Sequence, residues 1–139
     1  MDASSFQEGF NELVEWLAKR GYSVHTYTDA CDSVQWYVKE VHISTRQHAE
    51  NRLYALLHEC GHILIEDNRD RLYQLSYQVS ADSPLYPSRE KRVALLAEEF
   101  EAWKRGERLA NRLGIQISVE KYDTQRTRSL MSYIHWAAQ

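Results

Sequence analysis

LYALLHECGHILIE, Leu53 to Glu66, is the stretch on which the reading of this chain turns. Within it His58, Glu59 and His62 form H-E-x-x-H. On a helix that spacing sets two imidazoles one turn apart on one face, and aims the intervening glutamate where a metal-bound water would sit. Two histidine ligands and a nearby carboxylate base are the core of a zinc hydrolase site.

The surrounding residues support a helix with two working faces. At about 100° per residue, Ala49, Leu53, Leu56, Leu57, Cys60, Ile63 and Leu64 fall within an arc of roughly 120°, enough for a core stripe. His58 and His62 lie nearly opposite that stripe, about 40° apart. Tyr54, Ala55, Gly61 and Ile65 flank them, a composition suited to receiving another element of the fold rather than water.

The totals bound what the protein can be. A chain of 139 residues fits one domain and is long enough to bury about two thirds of its unfolded surface. A formal charge of -3, with acidic and basic residues interspersed, argues against nucleic acid or an anionic membrane as the primary partner. No apolar run approaches the roughly 18 residues of a membrane span, and residues 1–10 are too polar for a secretion signal, so a cytoplasmic location is expected. In that setting Cys31 and Cys60 read as reduced thiols, Cys60 as a small core hydrophobe. No repeat or low-complexity linker divides the chain.

In chain order, Ser4 or Ser5 can cap a first helix with Phe6, Phe10, Leu13, Val14 and Leu17 at helical spacing and Gly21 as its stop. From Tyr22 the period changes to alternation, and β-branched and aromatic residues predict two or three antiparallel strands near 22–28, 34–38 and 40–44. His25 and His42 fall in these strands and read as surface or satisfied side chains. Thr45 to Gln47 opens the H-E-x-x-H helix, where His48 lies about four turns from His62, too far to share its metal. A long polar connection over 68–87 carries Tyr73, Tyr77 and Tyr86. Ser118 can cap a last helix of about 119–136, in which Tyr133 reads as core and His135 as solvated.

Between them, Ser88 can cap a helix of about 89–113 closed by Gly114. Its apolar arc of about 180° holds Leu95, Leu96, Phe100, Ala102, Trp103, Gly106, Leu109, Ala110 and Leu113, with Glu99 near its middle. Glu98 and Glu101 fall on the charged face with Lys104, Arg105, Arg108 and Arg112. A carboxylate such as Glu99, buried without a partner, costs on the order of several kcal/mol. Zn²⁺ is the cation this reading supplies, with an arginine such as Arg52 or Arg69 as the competing partner. Ala102 and Gly106 would let the helix approach the H-E-x-x-H helix closely.

HECGH on one helix, followed after a connection by EEFEAW on another, resembles the ImmA/IrrE family of small zinc metallopeptidase-like proteins, over roughly residues 22–114. In that family the third ligand is a glutamate three residues before a small residue of the later helix. The correspondence selects Glu99, before Ala102, as the helical wheel does. The continuation EAW..GERLANRLGI departs from the family's Phe-Ala pair and apolar Leu-Leu-x-Pro ending. The resemblance implies a gluzincin-like fold and, for active members, cleavage of a cytosolic regulatory protein such as a repressor.

The combined expectation is an α+β, zincin-like fold. It holds a small antiparallel sheet of about three strands, the H-E-x-x-H helix and two to three further helices. His58, His62 and Glu99 would hold Zn²⁺ and Glu59 would act as catalytic base toward a protein or peptide substrate, a transcriptional regulator among the candidates. The competing expectation is a non-catalytic module braced by zinc that regulates a partner protein. Glu59 separates the two, since a structural zinc site needs no base there.

Overall fold

The chain is described from a computed structural model over residues 2–68 and 88–139. The connection expected over 68–87 lies outside these residues apart from Asn68. The described elements run α1 (Ala3–Lys19), β1 (Ser23–Tyr27), β2 (Ser33–Gln35), β3 (Glu40–Ser44), α2 (Ala49–Asp67), α3 (Arg89–Leu113) and α4 (Val119–Ala137). The result is α+β, with four helices and a small three-stranded sheet among the described residues.

The helix ends follow local chemistry. Asp2, not a serine, caps α1, its carboxylate accepting from the Ser5 amide at 3.0 Å. Ser88 and Ser118 cap α3 and α4 by accepting from the Lys91 and Lys121 amides. Gly114 ends α3 at φ 72°, a left-handed conformation that favours a residue without Cβ. The H-E-x-x-H helix starts later than expected, after His48, whose side chain makes no capping bond.

The sheet is mixed rather than antiparallel. Its strand order is β1-β3-β2, with β1 parallel and β2 antiparallel to β3. The expected antiparallel pairing holds between β2 and β3. β3 takes the centre because Val41 and Ile43, both wholly buried, seat it on α2, leaving β1 and β2 at the edges. Entering the sheet on the far side of β3 from β2, β1 runs with it. Their register pairs Val24 with Val41 on one face and His25 with His42 on the other. β2 is shorter than expected, because the chain turns at Trp36 to Lys39, where Lys39 has φ 54°.

α2 is the axis of the molecule, packed by α1, the sheet, α3 and α4. Leu53, Leu56, Leu57, Cys60 and Ile63 are buried as its stripe predicts, and Tyr54, Ala55, Gly61 and Ile65 are buried on its other side. α3 is its closest partner. A methyl added at Gly61 would overlap the Ala102 carbonyl, and one at Gly106 would stand 2.5 Å from the Leu57 carbonyl oxygen. The two backbones thus touch at both points, and this seam fixes the rotation of α3. It also corrects the helical wheel: Glu98, assigned to the charged face, is buried, while Phe100, assigned to the core, is 46% exposed.

Candidate metal centre

Two turns of α2 and one of α3 face each other across this seam. His58 and His62 enter from α2 at i and i+4, and Glu99 enters from α3 three residues before Ala102, where the helices touch. The His58 Nε2 and His62 Nε2 atoms lie 3.2 Å apart. One carboxylate spans both: Glu99 Oε2 is 2.8 Å from His58 Nε2, and Oε1 is 3.0 Å from His62 Nε2. Ligand atoms of the three residues lie within 4.8 Å of one another.

These distances allow a test of whether zinc fits. Tetrahedral bonds of about 2.0–2.1 Å place neighbouring ligand atoms about 3.3 Å apart. The two imidazole nitrogens already stand at that separation, and the carboxylate needs only a small withdrawal to join them. Two imidazoles and one carboxylate, with one coordination position left over, are also the donor set of a catalytic zinc site. The residues therefore fit the ion.

Each ring is held by a different means. Trp103 lies flat against His58, centroids 4.3 Å apart and planes within 8°. Tyr122 then pins Trp103, meeting its ring edge to face and donating a hydrogen bond to its carbonyl. His62 instead turns its Nδ1 toward Glu98 Oε1, 3.2 Å away.

The charges follow from burial and these contacts. Burial alone would raise the Glu99 carboxyl, but hydrogen bonding with His58 and His62 holds it well below the usual range. Burial alone would lower His62, but Glu98 and Glu99 raise it well above an ordinary imidazole. Glu59 moves the other way: its carboxyl is raised by burial against the pull of both imidazoles. Cys60 is likewise raised by burial and lies in the core, so its thiol is not poised for chemistry.

Among the described residues, two cavities flank the centre. One of about 410 Å³ is bordered by His58, Trp103, Gln125, Arg128 and Ser129, the other of about 220 Å³ by Ser33, Val34, Trp36, His62 and Glu98. Asp32, Glu59, Glu99 and Tyr133 border both. Tyr133, read from sequence as core, stands at the site, its hydroxyl held protonated by burial and by the Glu99 carboxylate beside it.

The structure thus brings His58, Glu59, His62 and Glu99 together. Arg52 makes no ion pair with Glu99 among the described residues, and Arg69 lies outside them. Asp32, Glu98, Trp103 and Tyr133 also border the centre and were not assigned to it. Trp103 and Glu98 had a usable signal, falling one turn beyond Glu99 and immediately beside it. Asp32 and Tyr133 arrive from distant segments, for which the sequence carries none. Comparison with family models, curated proteins and solved structures finds no match to this chain.

Proposed function

We propose that this chain is a zinc-dependent metallopeptidase that cuts a peptide bond in a protein substrate in the cytoplasm, of the zincin-like kind that its resemblance to ImmA/IrrE proteins implies. A transcriptional regulator is the substrate class that resemblance suggests. The observation that carries the reading is Glu59: a buried carboxylate bordering both cavities, beside three converging ligand atoms.

In this reading His58, His62 and Glu99 hold Zn²⁺, which when bound acidifies a water toward a pKa of about 7 and polarises a carbonyl. Glu59 takes the proton from the attacking water as its oxygen bonds to the peptide carbon. It returns that proton to the departing amine as the C–N bond breaks. The position of Glu59, bordering both cavities beside the ligand atoms, suits a group that must take a proton and hold it between those steps. Tyr133, protonated, can donate to the carbonyl oxygen as it gains charge. Trp103 keeps the His58 ring from turning. β2 borders the smaller cavity and has an unpaired edge among the described residues, so an extended substrate segment could pair there.

Glu59→Gln should keep zinc at wild-type stoichiometry and abolish cleavage of peptides that the wild type cuts. Retained cleavage would refute the assigned base. The enclosure of the centre, with Glu59 only 4% exposed, favours the alternative of a zinc-braced module that binds and regulates a partner. In that case wild type and Glu59→Gln would capture the same partner and neither would cut it.

A further inference from the structure

Glu98 is a charged side chain that the proposed reaction does not use. Its side chain is 9% exposed, on a helix whose outer face offers solvent to any acidic residue. Oε1 lies 3.2 Å from His62 Nδ1, while Oε2 is buried and has no hydrogen-bond partner among the described residues. A buried carboxylate oxygen without a hydrogen bond costs stability, which asks for a role that an apolar residue could not fill.

The two histidines differ in a way that accounts for it. A neutral imidazole has one N–H and one lone pair, and the partner of one nitrogen decides which tautomer is present. At His58 the nearest acidic oxygen to Nδ1 among the described residues is that of Glu59, 3.6 Å away, beyond a hydrogen bond, and the ring is fixed by Trp103. Among the described residues His62 has no such stack. Its Nδ1 faces Glu98 and its Nε2 faces His58 Nε2 and Glu99.

We infer that Glu98 is a positioning residue: by accepting the Nδ1–H of His62 it selects the tautomer whose Nε2 lone pair points into the metal centre, and holds the ring at that angle. The inference rests on the metal-binding reading above. Outer partners of this kind typically contribute about 10–100-fold in metal affinity.

The test is zinc affinity, by competition with a chromophoric chelator, for wild type, Glu98→Met, Glu98→Gln and Glu99→Gln. The protonation of His62 in each zinc-loaded protein is read by long-range ¹⁵N–¹H correlation. Methionine keeps length and bulk but cannot replace the carboxylate acceptor, so Glu98→Met should bind zinc about 10–100-fold more weakly and lose the slowly exchanging Nδ1 proton. Glutamine keeps an acceptor oxygen and should stay within a few-fold of wild type with that proton visible. This variant carries the test should Glu98→Met fail to fold. Wild-type affinity in Glu98→Met would overturn the inference. So would a Glu98→Gln variant as defective as Glu99→Gln, which would make Glu98 a ligand. Wild-type protein that binds no zinc would sink the metal reading itself, a distinct result.

Discussion

Two histidines and a glutamate come together twice in this chain. On the outer face of the sheet, His42 Nε2 lies 2.9 Å from Glu40 Oε1, and His25 Nε2 lies 3.6 Å from Glu40 Oε2. Between α2 and α3, His58, His62 and Glu99 meet at similar distances. In the sheet group His42 spends its other nitrogen on the Tyr27 hydroxyl at 2.9 Å, and Ser23 engages His25. Each ring there shares Glu40 with a further partner of its own, and water reaches them, His25 being nearly half exposed. In the helix group both Nε2 atoms and the carboxylate point at one small volume from which water is largely excluded. Residue type is the same in both. Convergence and desolvation make one of them a candidate for a divalent ion.

The sharpest way to break this contrast is to remove one glutamate from each group. Glu99→Ala should weaken zinc binding by more than the roughly 100-fold upper range of an outer-shell partner, measured by chelator competition, while Glu40→Ala leaves it within experimental error. Equal losses would mean that the two groups do not differ as described.

Next in size is the seam that creates the convergence. In Gly61→Ala the new methyl must displace the Ala102 backbone. Denaturant unfolding should show a loss of roughly 1–3 kcal/mol, with weakened zinc binding although no ligand is touched. A variant with native stability and affinity would mean that the helices can separate without disturbing the centre.

A smaller effect is expected from pH. Without metal, Glu99 ionises below its usual 4.5 and His62 holds its proton above its usual 6.5. The depressed carboxyl contributes stability above pH 4.5 that is lost as pH falls through its folded value. The raised imidazole contributes stability below pH 6.5 that is lost as pH rises through its folded value. Zinc needs deprotonated imidazoles, so its binding releases protons and strengthens with pH. The rise in melting temperature on adding zinc should therefore grow between about pH 6 and pH 8, and a rise that shrinks over that range would contradict the assigned ligands.

The least change is expected in the sheet. Glu40 is held somewhat below the usual carboxyl range chiefly by its hydrogen bond with His42, yet its side chain is only half-buried and water screens the pair. Such screened pairs contribute little. Glu40→Gln should leave the melting curve almost unmoved at neutral pH, and a large drop would show the sheet group to be structurally important.

Much of this centre could be read from the chain. Helical spacing alone placed His58 and His62 on one face with Glu59 between them, and Glu99 stood out as an acid within an apolar arc. Ala102 and Gly106 announced a close approach, and the structure shows the backbones touching there. Glu98 escaped because its burial depends on how far α3 is rotated about its own axis. A 3.6-residue period fixes which residues share a face, but not the angle at which that face meets its neighbour. Phe100 was misassigned by the same uncertainty in phase. The parallel pairing of β1 with β3 escaped for a related reason: alternation marks a strand without naming its neighbour.

The sequence by itself determined the local order of this protein: capped helices, short strands, and a pair of imidazoles one turn apart with an acid between them. These depend on contacts within a few residues, whose geometry the backbone fixes wherever the segment lies. Only the tertiary structure decided that a carboxylate 37 positions beyond His62 meets both rings, that Glu98 turns inward to His62, and that Tyr133 and Asp32 border the centre. Those outcomes depend on how closely two helices pack and at what rotation, and Gly61 against Ala102 sets both.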